Sequence, residues 1–150
     1  MQGLFSNPSA AAYTACAFGF QLLLCIHFAL RRWRFSTALR WGWIVYALGL
    51  PAGLLGVYGL VSGAEWSWGV AGLLYLVWGL YGWWVEYRRR IAWRDPWYWP
   101  VAGPYLTLFL AVEMFYWFPL ALIARWLWYA YGGLFLLSFG LNLASHHPRR

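Results

Sequence analysis

The chain is 150 residues long, 63% hydrophobic and only 10% charged, where about a quarter of an ordinary soluble domain is charged. That balance excludes a soluble globular fold. The net charge of +7 does not indicate nucleic acid either, because all eleven basic residues are arginines grouped beside apolar runs, with no polar face to lie along a phosphate backbone.

The sequence predicts an all-α, polytopic integral membrane protein of five transmembrane helices. They form one transmembrane domain over 1–150, with helices at about 8–30, 38–61, 66–87, 101–118 and 119–144. Asn7-Pro8 is a helix-start signature: an Asn able to cap exposed amides, followed by Pro where its missing N–H costs nothing. The N-terminal residues carry no basic segment and arginines follow the first run, so a retained span is expected rather than a cleaved signal. Cys16 and Cys25 lie in this run, roughly 13 Å apart along a helix axis, and cannot bridge each other.

Arg31, Arg32, Arg34 and Arg40 follow, with Ser36 or Thr37 as the expected cap of the second helix and a kink expected at Pro51. Gly42, Gly49, Gly56 and Gly63 recur every seven residues, and Gly49 and Gly53 make a small-xxx-small step. One stripe of the second helix is thus nearly bare backbone, open to another helix of this chain or of a second subunit. The third run, from Trp66 to Tyr87, places Trp68 and Trp84 roughly 24 Å apart, close to one hydrocarbon thickness. Then comes a loop dense in arginine, tryptophan and proline, Tyr87 to Pro100. Arg88, Arg89, Arg90 and Arg94 supply its charge, and Trp93, Trp97, Tyr98 and Trp99 are rings suited to headgroup level. Pro100 or Pro104 opens the fourth helix and Pro119 the fifth.

The first loop holds four arginines, the third four and the C-terminal tail two, while the second loop has none and the region between the last two helices has only Arg125. The positive-inside rule then puts the N-terminus outside and the C-terminus in the cytoplasm, with the prokaryotic cytoplasmic (inner) membrane as the expected location.

Glu113, inside the fourth run with Tyr116 and Trp117 at helical spacing, is the sharpest candidate for chemistry, since a carboxylate in a membrane is costly. Glu113 and Arg125 are each six residues from Pro119, so a hairpin turning there would set them at one depth as an ion pair. The alternative makes Glu113 a proton or cation site walled by Tyr116 and Trp117. His27, Glu86 and Asn142 lie a few residues inside the cytoplasmic arginines. They form either a polar pocket or separate structural groups, with Arg89 or Arg90 as partner for Glu86. Gln21 reads as interhelical glue. No cofactor is evident: His27, His146 and His147 are too few and too scattered for haem or a metal site, and the absence of lysine rules out a Schiff base.

Fourteen Trp, eleven Tyr and ten Phe exceed what two interfacial belts require, and with the glycines they could wall a slot for an apolar or aromatic ligand or pigment. Five tryptophan-rich spans, a cytoplasmic C-terminus and the ending Phe-Gly-Leu-Asn142 give a passing similarity to the tryptophan-rich sensory (TspO, translocator) proteins. The loop before the second helix lacks that family's Pro-x-Trp-x-Pro-Pro pattern, and the fifth helix lacks its Pro-Tyr-Leu-x-Trp. The resemblance implies a sensor or translocator. The residues themselves point to a non-enzymatic protein that binds a lipid, carotenoid or tetrapyrrole-like ligand, or packs as a small subunit of a membrane complex. The alternative is a small proton-coupled transporter using Glu113. Expected partners are the lipid bilayer and other membrane subunits or a homodimer, with no nucleic acid.

Overall fold

The computed structural model describes residues 7–94 and 96–145; His146, His147 and the last two arginines lie outside the described residues. Among the described residues the regular structure is helical, apart from an isolated bridge between Arg94 and Trp97. The elements are α1 (Pro8–Trp33), α2 (Phe35–Trp41), α3 (Trp43–Ala47), α4 (Gly49–Val61), α5 (Trp66–Trp83) continued by a π-helical turn (Trp84–Arg88), α6 (Trp99–Trp117), α7 (Leu120–Ile123) and α8 (Arg125–Ser145). Five stretches are long and apolar enough to cross a membrane: Pro8–Trp33, Phe35–Val61, Trp66–Arg88, Trp99–Ile123 and Arg125–Ser145.

Single residues set the breaks. The Asn7 side chain accepts hydrogen bonds from the amides of Ser9 (3.0 Å) and Ala10 (3.3 Å) and starts α1. Arg34 alone separates α1 from α2: its amide donates to the Leu30 carbonyl at 2.7 Å while its backbone leaves the helical conformation, at φ −139° and ψ 66°. The second helix therefore starts at Phe35, before the expected Ser36 or Thr37 cap, and both residues fall inside it. Pro51 has no N–H for the carbonyl of Ala47, and the helix is interrupted at Leu48, one residue after that orphaned acceptor. Pro119 interrupts but does not end its helix, since the fourth membrane-length stretch continues to Ile123 and the fifth begins at Arg125. The chain is broken twice here, at Phe118-Pro119 and again at Ala124, with the short α7 between.

The helices form two compact units, divided between Val45 and Tyr46 and again between Pro119 and Leu120. In the unit containing α1, α2, α7 and α8, α1 and α8 are held by polar contacts among apolar ones. Gln21, fully buried, donates from Nε2 to Ser138 Oγ at 2.7 Å, and Ser138 donates onward to the Phe135 carbonyl at 2.9 Å. Cys25 Sγ donates to the Leu134 carbonyl at 3.6 Å, and the Phe18 and Tyr131 rings meet edge to face at 5.9 Å. Where every apolar side chain is equally content in lipid, such a hydrogen bond fixes which helix faces which, at about 0.6 kcal/mol on average.

The unit of α4, α5 and α6 is packed on glycine. A Cβ on Gly56 would sit 2.6 Å from the Gly69 carbonyl oxygen, and one on Gly49 would sit 2.8 Å from that of Tyr75. Gly53 lies equally close to the Leu76 side chain. The stripe of Gly49, Gly53 and Gly56 is therefore occupied by α5. The turn between α4 and α5 passes through Gly63 at φ +74°, a conformation that costs glycine nothing. The α5–α6 side is filled by rings: Trp78, 1% exposed, packs against Tyr75, Tyr105 and Phe109 at centroid distances of 6.0, 5.6 and 5.6 Å.

Candidate functional site

Two sites emerge, one in each unit. The first is a recess of about 100 Å³ between α1 and the chain that follows it. On α1, Leu23, Ile26, His27 and Leu30 line it, and Ala38, Trp41, Gly42 and Val45 face them with Ile44 beside. Both walls follow the i, i+3, i+4, i+7 spacing of one helix face. The hollow remains because Ala38 is short and Gly42 has no side chain, so the second wall is scooped where α1 presents full-sized residues. His27 is the only ionisable side chain in the lining; its ring lies edge to face with Phe28 at 5.6 Å.

The second site is the arginine and tryptophan loop after the third membrane-length stretch. Arg90 adopts the left-handed conformation, φ +52°, in the position that helix ends usually give to glycine. The Arg89 amide donates to the Trp84 carbonyl at 2.8 Å and the Ile91 amide to the Val85 carbonyl at 3.0 Å, which turns the chain back on the helix end. Ile91 then packs on a cluster of Val85, Trp93, Val101 and Ala102.

This reversal carries Trp93 and Arg94 inward, where the sequence suggested headgroup level. Trp93 is 3% exposed, and its ring nitrogen finds no acceptor. The Arg94 guanidinium lies 4.2 Å from the centre of the Trp93 ring and is ion-paired with Glu86. Burial pushes the Arg94 guanidinium down, but Glu86, with Tyr105 and Tyr46 in range, outweighs it and holds the group above its ordinary value. Arg94 therefore stays charged at any pH the protein meets. Beside the pair, the hydroxyls of Tyr46 and Tyr105 are hydrogen-bonded at 2.9 Å, and Tyr81 donates to the Val101 carbonyl at 3.2 Å.

Of the residues singled out from sequence, Glu113 and Tyr116 are buried in α6, at 0% and 1% exposure, with Trp117 partly buried beside them. Arg125 is exposed at the start of α8, in the other unit. Glu86 bonds to Arg94, neither to Arg89 nor to Arg90. Asn142 lies in α8, where its carbonyl accepts from Ser145 Oγ at 2.8 Å, and it belongs with His27 to the unit that excludes Glu86. Among the described residues no three of His, Cys, Asp and Glu stand together as a metal site. Sequence reasoning missed the recess, though its two facing helical stripes and the small pair Ala38 and Gly42 are readable once sought. It also missed the Glu86–Arg94 pair. No protein-family model, curated protein or solved structure matches this chain.

Proposed function

We propose that this chain is a small five-span protein of the prokaryotic cytoplasmic membrane, N-terminus outside and C-terminus in the cytoplasm, that binds a lipid-like apolar tail in the recess between α1 and α2. The orientation is supported by the arginines, ten of eleven on one side of the proposed threading. The observation that carries the binding reading is the recess itself: an apolar hollow with one histidine in its lining, at the arginine-bearing end of α1. Its size favours a slender occupant. An engineered cavity of about 150 Å³ holds a benzene ring, so about 100 Å³ suits a segment of flexible chain better than a tetrapyrrole.

The test is photolabelling in membranes with a fatty-acyl lipid that carries a diazirine near its tail, the sites being mapped by peptide mass spectrometry. Adducts concentrated on Leu23, Ile26, Ala38 and Ile44 are expected. Adducts spread over exposed apolar residues such as Val61, Leu122 and Leu136, with none in the recess, would sink the reading.

A further inference from the structure

The loop's four arginines divide into two kinds. Arg94 is turned inward and committed to Glu86. Arg88, Arg89 and Arg90 are exposed, and no carboxylate among the described residues is paired with them. Arg88 ends the π-helical turn, Arg89 caps it and Arg90 takes the left-handed conformation, so the three follow one another at one helix end.

Arg89 is the organised member. Its guanidinium lies 5.3 Å from the centre of the Trp84 ring, a residue that is itself exposed. A cation–π contact with an aromatic ring does not use up the guanidinium N–H groups, which can still serve a bidentate acceptor. The ring also holds the long side chain in place, which reduces the ordering cost of binding. Exposed Trp83, Trp97, Tyr98 and Trp99 lie on the same loop and the adjoining helix end, and such rings settle at headgroup depth. A helix that ends at Arg88, a fixed guanidinium, two further free ones and a surround of interfacial rings are the complement of a phosphodiester anchored in a bilayer.

We infer that Arg88, Arg89 and Arg90, with Trp84 as platform for Arg89, form a binding site for the phosphate headgroup of an anionic phospholipid. The site shares no residue with the recess, and its test does not depend on what the recess holds.

Native mass spectrometry of the delipidated full chain, titrated with phosphatidylglycerol or phosphatidylcholine, tests it. Wild type is expected to prefer the anionic lipid, and Arg89→Gln to lower that preference roughly five- to tenfold. Trp84→Leu, which keeps every charge, should lower it by a smaller factor, and Arg89→Lys should restore only part of the loss, because an ammonium neither stacks nor forks. Arg34→Gln removes one exposed arginine from the other basic loop and serves as the charge-matched control. Equal loss in Arg34→Gln and Arg89→Gln would reduce the effect to net charge and overturn the site. So would an unchanged preference in both Arg89→Gln and Trp84→Leu. Displacement of the lipid by an equal concentration of soluble glycerol phosphate would reassign the site to a free phosphate and overturn the lipid proposal. Melting temperatures in detergent confirm that each variant compared is folded.

Discussion

Glycine behaves differently in the α4–α5 hairpin and on α1 and α8. In the hairpin of α4 and α5, a Cβ on Gly56 would lie 2.6 Å from the Gly69 carbonyl oxygen, and one on Gly72 would meet the Ala52 carbonyl. On α1 and α8, Gly19, Gly133 and Gly140 face nothing within 4 Å. The hairpin uses glycine to bring two backbones together and then fills what remains with tryptophan and tyrosine. In the other unit α1 and α8 share a buried side-chain hydrogen bond, Gln21 to Ser138, and a hollow lies beside Gly42. Glycine at the hairpin positions lets the two helix backbones come into direct contact. The recess lies in the unit of α1 and α8.

The sharpest way to break this contrast is one substitution made in both places. Gly72→Ala should cost about 3 kcal/mol or more, since the new methyl meets backbone that cannot yield without separating the helices. Gly19→Ala should be neutral or stabilise by up to about 1 kcal/mol, because alanine suits a helix better and the site is open. Melting temperatures in one detergent decide it, and similar shifts for both variants would show that the hairpin is not glycine-locked. A smaller effect sharpens the other side. Gln21→Leu should cost about 0.6 kcal/mol and at most about 2, and combining it with Ser138→Ala should cost less than the sum of the two single changes. Additive losses would mean that the buried hydrogen bond does not hold α1 to α8.

The five membrane-length helices were legible because long apolar runs bounded by arginine, proline and tryptophan have few alternatives. Exact breaks were less so. The interruption at Leu48 follows from the missing N–H of Pro51, which is readable, whereas the boundary at Ala124 depends on Pro119 being carried within a continuing stretch, which composition does not decide. The Glu86–Arg94 pair was out of reach for a different reason. It requires the chain to reverse at Arg90, and a left-handed residue at a helix end is predicted from glycine, not from the third of three arginines. Glu113 stood out in sequence as a carboxylate in an apolar run, and it is completely buried in α6. The recess is written in two stripes, 23/26/27/30 and 38/41/42/45, but periodicity does not say that Ala38 and Gly42 leave a space between them.

The most direct measurement is native mass spectrometry of the protein extracted gently from its own membrane, wild type beside Ala38→Leu, a change that adds side-chain volume to the wall of the recess. Wild type should carry a stoichiometric adduct with the mass of a lipid or lipid-like chain, and Ala38→Leu should lose it at an unchanged melting temperature. A bare wild-type chain, or an adduct that Ala38→Leu retains in full, would contradict the account and shift attention to the buried Glu113 and to transport.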